Sequence, residues 1–355
     1  MTTEIRSLPL VKQRRRPVLD GHTAHGDLYE HRSSEFRCTA CAHRCVLSEG
    51  GAGACGTRVR RNDRLFVPYG YVAREHVRAV ETNTIFHVRP GTLALTFGMY
   101  GCDLRCPYCH NHRLSQALRK QQSDYPIQET SPEQLVQRAL HSGCAVVCAA
   151  YNEPLISAEW TRAIFEVAKG RGLTTALITD GHSTPEALSY MRPFTDVIRI
   201  DLKAYTEGQY RLLGGRLQPV LDTLVSSKGL GYWVEVVTLV VPGFNDEADG
   251  LRQLGDFIAR IDPTIPWHLN AFQPRYRMSH LPRMNAAALF DFAGTAYARG
   301  LSFVYVGNVI QESLATTRCP CCHAELIRRH DWQTVSNTVV DGRCPSCGVH
   351  LPGLW

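Results

Sequence analysis

The sequence predicts an α/β fold: a partial barrel of about six strand–helix repeats, with a cysteine-rich module before it and a four-cysteine ribbon after it. Three observations predict this. Short β-branched runs alternate with amphipathic segments from residue 92 onward. Polar clusters recur where each run ends. Eleven of the fourteen cysteines fall into three compact groups, two flanking the alternating region and one inside it.

Residues 1–35 are polar and basic and include "KQRRRP" (12–17), which reads as a tail. Residues 36–90 form the first cysteine-rich module, centred on "CTACAHRCVLSEGGAGACGTR". Residues 91–310 carry the runs "TLALTFGM" (92–99), "CAVVCAAY" (144–151), "LTTALIT" (173–179), "DVIRIDLK" (196–203), "WVEVVTLVV" (233–241), "WHLNAF" (267–272) and "LSFVYV" (301–306). Between them lie helical patterns such as "SPEQLVQRALHSG" (131–143), with Ser131 as cap, Pro132 in the first turn and Gly143 as stop. Near-continuous apolar strands alternating with helices indicate a parallel sheet covered on both faces. A barrel, closed or open on one side, is the leading architecture, and an open doubly wound sheet is the alternative. Residues 311–355 form the closing ribbon.

Composition narrows the function. Hydrophobic residues make up 44% and charged residues 20%, as expected of a globular chain. No run of about 18 apolar residues occurs, so no membrane span is expected. No apolar segment follows the basic N-terminus, so the reading is a cytoplasmic chain without a secretory signal. The formal charge of +6 does not argue for nucleic acid, because each metal held by four thiolates adds about two negative charges.

The polar ends of the strands, "YNEP" (151–154), "TDG" (179–181), "DLK" (201–203), "PGFND" (242–246), "FQPR" (272–275) and "GN" (307–308), belong to one rim. In barrels and open α/β sheets alike that rim carries the active site. "GCDLRCPYCHN" (101–111) follows the first run and joins the same rim. Its cysteines, Cys102, Cys106 and Cys109, number three where a closed structural site wants four. Cys38, Cys41, Cys45 and Cys55 (C-x2-C-x3-C-x9-C) can close a coordination sphere around zinc or an iron–sulfur cluster. Cys319, Cys322, Cys344 and Cys347 have zinc-ribbon spacing, with an auxiliary cluster as the other option. Cys321 is a spare thiol, and Cys144 and Cys148 read as buried small hydrophobes on one face of a strand.

The C-x3-C-x2-C stretch resembles the signature of the radical S-adenosylmethionine (radical SAM) superfamily. With "YNEP", "DLK", "PGFND", "PWHLNAFQPRY", "YVGN" and the terminal "CPCC…CPSCGVHLPGLW", the chain looks like the AmmeMemoRadiSam-type radical enzymes, relatives of pyruvate formate-lyase activating enzymes. The resemblance implies a 4Fe–4S cluster on Cys102, Cys106 and Cys109, with one iron left for S-adenosylmethionine. It implies Tyr108 against the adenine and Asn152 and Glu153 at the methionine amino group. Thr179, Asp180 and Gly181 would shape the pocket, Asp201 and Lys203 would lie near the ribose or carboxylate, and His268 near the adenosine. It further implies an external electron donor such as flavodoxin or ferredoxin.

The family's lysine-rich stretch before the first strand is "VETNTIFHVRPG" (80–91) here, and its "TNG" is "TDG". These departures point to a specialised member. The expected reaction is reductive cleavage of S-adenosylmethionine and hydrogen abstraction from a small molecule, such as a sugar or nucleoside. An auxiliary cluster, if present, would add C–S bond formation. The alternatives are an activase acting on a protein glycine and an RNA-modifying or nucleic-acid-binding protein; few clustered basics and no aromatic row argue against the latter.

Overall fold

A computed structural model describes residues 19, 21–32, 35–120, 125–309 and 314–355. The "KQRRRP" tail lies outside the described residues. The centre is an eight-stranded sheet whose strands follow one another in chain order. They are β1 (Arg74–Ala79), β2 (Leu93–Gly98), β3 (Cys144–Ala149), β4 (Thr174–Thr179), β5 (Val197–Asp201), β6 (Trp233–Val240), β7 (Trp267–Ala271) and β8 (Val304–Gly307). β2 to β8 are parallel and correspond to the seven apolar runs. β1 pairs antiparallel with β2, and the sheet stays open between β1 and β8.

The crossovers are α1 (Pro132–His141), α2 (Ala158–Gly170), α3 (Pro185–Met191), α4 (Glu207–Leu213), α5 (Leu217–Gly229), α6 (Ala248–Ile261) and α7 (Ala286–Ala298). α1 begins as its sequence dictates: the Ser131 hydroxyl accepts from Gln134 N, the Gln134 side chain accepts from Ser131 N, and Pro132 opens the first turn. A register shift between Cys144 and Val146 separates the two strand cysteines. Cys148 packs inside the sheet with Val146 and Ala176, whereas Cys144 packs on the outer layer.

The loop after β1 closes the N-terminal end of the barrel. Val80, Ile85 and Val88 plug it against Ala94, Val146, Ala176 and Val197. The "VETNTIFHVRPG" segment therefore forms the barrel's floor. A three-stranded antiparallel ribbon (Thr317–Arg318, Glu325–His330, Gln333–Asn337) lies against that floor. Arg329 donates to Phe86 O at 2.7 Å, and Thr334 donates to Glu81. Among the described residues no helix is long and apolar enough to cross a membrane.

Candidate active site

The loop after β2 carries Cys102, Cys106 and Cys109 to the C-terminal rim, where all three line a cavity of about 350 Å³. Arg119 pins the loop by donating to Leu104 O (2.8 Å), Cys102 O (2.7 Å) and Ala54 O (2.8 Å), the last in the N-terminal cysteine module. Burial pushes all three thiols up, Cys106 to about 12 despite Lys203 nearby. Thiols that the protein alone leaves protonated suit a metal centre, which deprotonates its sulfur ligands outright.

Strand ends fill the rest of the cavity wall. Asn152 accepts from Met99 N at 2.9 Å and so braces the end of β2. Glu153 accepts from Leu155 N (2.9 Å), Asp180 N (2.8 Å) and, on both oxygens, the Thr179 hydroxyl (2.9 Å). These bonds use most of its acceptor sites, so Glu153 offers a neighbour charge more than a new hydrogen bond. Asp180 accepts from His182 N at 3.1 Å. Asp103, inside the cysteine motif, faces His182 Nδ1 at 3.1 Å, with both side chains fully buried. Opposite them Asp201 pairs with Arg199 (2.7 Å) and Lys203 (2.8 Å), and Tyr108 lies against Phe244 with centroids 5.7 Å apart.

Three buried carboxylates thus crowd one side of the cavity. Burial and then the charge of Asp103 raise Glu153 to about 7, and burial, Asp103 and Glu153 hold Asp180 well above the usual carboxylate range. Burial works against ionisation of Asp103 too, but its contacts with His182 hold it down at about 2. An excess of buried acid over local cation is the environment for a positively charged ligand. It also makes a prediction. Because the folded state resists ionising Asp180, wild-type stability falls as pH rises from the unfolded carboxylate value toward the raised one. Asp180→Asn removes that slope and should stabilise the cofactor-free chain more at pH 8 than at pH 5. Urea melts at pH 5 and pH 8 check this; equal gains at both would sink it.

The flanking cysteines differ in geometry. The Cys319 and Cys347 sulfurs lie 3.6 Å apart, as do those of Cys322 and Cys344, and all four fall within 4.8 Å of one another. The edge of a tetrahedron with zinc–sulfur bonds of about 2.3 Å is about 3.8 Å. Cys321 is exposed. In the N-terminal set Cys38, Cys41 and Cys55 are buried and Cys45 half-buried. Ala54 N donates to Cys45 Sγ and the Thr57 hydroxyl to Cys55 Sγ, both at 3.3 Å. Cys41 Sγ also lies within 4.8 Å of an Asp103 oxygen and a His182 nitrogen, so this set abuts the rim loop.

Residues 97–254 match the family model described as the Radical SAM superfamily. An uncharacterized protein of Methanocaldococcus jannaschii is 31% identical over 322 residues, covering 90% of this chain and 95% of that protein. The chain belongs to the radical SAM superfamily. A pyruvate formate-lyase-activating enzyme of Staphylococcus aureus is 28% identical over 194 residues, 50% of this chain and 76% of its own length. Among solved structures, Streptococcus suis SuiB bound to S-adenosylmethionine aligns with a TM-score of 0.47 at 11% identity, over 64% of this chain and 53% of that one.

Within this radical SAM fold, Tyr108, Asn152, Glu153, Thr179, Asp180, Asp201 and Lys203 line the same cavity as the three cysteines. Gly181 shapes the turn behind it: its φ is +76°, and a Cβ there would lie 2.8 Å from Ile200. His268 is not in the wall. It sits two residues before Asn270 on β7, so it points inward nearer the floor, where its Nε2 meets Glu235 Oε2 at 2.7 Å. Asn270 is the residue of that strand that reaches the cavity. Sequence reasoning missed Asp103, His182, Arg199 and Asn270. Asp103 and His182 were nonetheless signalled, one inside the cysteine motif and the other directly after "TDG".

Proposed function

We propose that Cys102, Cys106 and Cys109 hold a 4Fe–4S cluster, that S-adenosylmethionine binds beside it, and that the enzyme abstracts hydrogen from a small molecule. The observation that carries this is one cavity lined by three thiols, Cys106 buried and Cys102 and Cys109 half-buried, and by the crowded carboxylates Glu153 and Asp180. When bound and reduced, such a cluster supplies the electron that converts S-adenosylmethionine to a 5′-deoxyadenosyl radical and methionine. The chain's own residues do the rest. Asp180 and Glu153 attract the methionine ammonium, and Lys203, held protonated by Asp201, receives the carboxylate. Tyr108 offers a flat face to the adenine, and the apolar residues Ile178, Val237 and Leu239 help keep water from the radical.

The 3.6 Å sulfur spacing in the ribbon supports a single zinc ion there, with neither electrons nor sulfide to give. The N-terminal set remains zinc or a second cluster, and the reductant is a one-electron protein such as flavodoxin or ferredoxin.

Anaerobic reconstitution followed by dithionite and S-adenosylmethionine tests the reading. The expected result is 5′-deoxyadenosine, with about four iron and four sulfide per chain, or about eight of each if the N-terminal set is also a cluster. A fully iron-loaded chain that forms no 5′-deoxyadenosine would overturn it.

A further inference from the structure

Beside the cysteine-lined cavity, a second pocket of about 510 Å³ opens along β8, and the two share Asn308 in their walls. The outer wall of this pocket is the tip of the ribbon hairpin, where Asp331 and Trp332 join the strands Glu325–His330 and Gln333–Asn337. Both turn residues have positive φ, 45° and 61°. Such a turn favours Asn-Gly, because a Cβ is strained in the left-handed region. A tryptophan is a poor choice for the turn itself, and its indole is spent on the pocket instead.

The opposite wall is cut to receive it. A Cβ on Gly307 would lie 2.7 Å from the Trp332 ring and 2.2 Å from Asn270 Oδ1. Asn270 is 8% exposed, and its Oδ1 has no hydrogen-bond partner among the described residues. That acceptor lies where the two spaces adjoin, since Asn270 lines the cysteine cavity and Gly307 the second pocket. Phe86 meets Trp332 edge-on at 6.2 Å. Arg283, exposed on the rim, has no hydrogen-bond or ion-pair partner among the described residues, and Arg329 lies buried in the wall. Arg329 is spent on Ala315 O, the Thr317 hydroxyl and Phe86 O and lies 4.0 Å from the buried Glu81, so Arg283 is the cation this pocket offers a ligand.

We propose that this pocket is the substrate subsite and takes a small anionic molecule with a flat ring. The ring lies against Trp332, the carboxylate or phosphate pairs with Arg283, and a hydroxyl or amine of the ligand donates to Asn270 Oδ1 at the entrance to the cysteine cavity. The inference rests on the radical reading of that cavity and adds the class of molecule it acts on.

The test is equilibrium dialysis of 8-anilino-1-naphthalenesulfonate, a flat-ringed sulfonate. It is run on the full-length, anaerobically reconstituted chain with excess S-adenosylmethionine filling the first cavity. One saturable site per chain is expected. Arg283→Ala and Trp332→Ala should each weaken it about tenfold, the scale of one charge-assisted contact or one aromatic platform. N-phenyl-1-naphthylamine, which lacks the sulfonate, should bind more weakly to wild type and be indifferent to Arg283→Ala. Arg283 is on the exposed rim, so its variant stays informative if Trp332→Ala disturbs the ribbon. No saturable binding, or affinity unchanged in the Arg283 variant, would overturn the proposal. Wild-type 5′-deoxyadenosine formation is read in the same preparations. Its absence would overturn the radical reading alone, and its presence without dye binding would overturn the subsite alone.

Discussion

Replacing Cys102, Cys106 and Cys109 together by alanine should cut 5′-deoxyadenosine formation at least about a thousandfold, roughly 4 kcal/mol of barrier, while the chain stays folded. The first half follows if the three thiols are the cluster's only protein ligands. The second follows from how the loop is held. Leu104, Tyr108 and Leu114 are buried anchors at 1%, 4% and 0% exposure, and Arg119 binds four backbone carbonyls across the loop and the N-terminal module. Neither depends on sulfur. Iron and zinc analysis separates the sites: the variant should lose about one cluster's worth of iron and keep the ribbon's zinc. Undiminished 5′-deoxyadenosine would remove the cluster assignment, and an unfolded variant would show that the metal, not the anchors, holds the loop.

The barrel was legible because a parallel strand buried on both faces needs a largely apolar run, and all seven runs are near-continuous in that sense. β1 was not, because "REHVRA" carries four polar residues in six. Its place is fixed by pairing with β2, a relation of backbone rather than of side-chain pattern. Strand ends were legible as a rim, but depth along a strand was not. His268 and Asn270 share a face in "WHLNAF", and only the curl of the sheet decides which one reaches the cavity. Glu235 was hidden in the same way inside an apolar run. It is a fully buried carboxylate that accepts from Phe86 N, His87 N, Trp233 Nε1 and His268 Nε2 and joins strand to floor. The second pocket was invisible because it forms between segments far apart in the chain, with Arg283, Asn308 and Trp332 meeting only once the ribbon folds back.

Glu159→Ala should be the most destabilising single change outside the rim, by about 3–5 kcal/mol, because it strands a buried guanidinium. Arg58 is 1% exposed and donates to both Glu159 oxygens at 2.7 Å and to Ile156 O at 3.1 Å. Glu159 in turn accepts from Asp27 N (3.0 Å) and Leu28 N (3.3 Å), so one ion pair docks the N-terminal module onto α2. The same guanidinium sits beside Cys38 and lowers a thiol that burial raises, so its loss of place should also loosen the four-cysteine set. Burial opposes the charge on Glu159, but Arg58 outweighs it and holds the carboxyl below its ordinary value. The pair's contribution is therefore fully present above the ordinary carboxylate pKa and is lost as pH falls through the lowered one. Urea melts at pH 7, with the rate of metal loss from the N-terminal set to a chelator, read both consequences. A double variant, Arg58→Met with Glu159→Leu, should recover much of the lost stability, because it leaves no charge behind. If it is as unstable as Glu159→Ala alone, the docking rests on the shape and hydrogen bonds of the pair, and the stranded charge is not the cause.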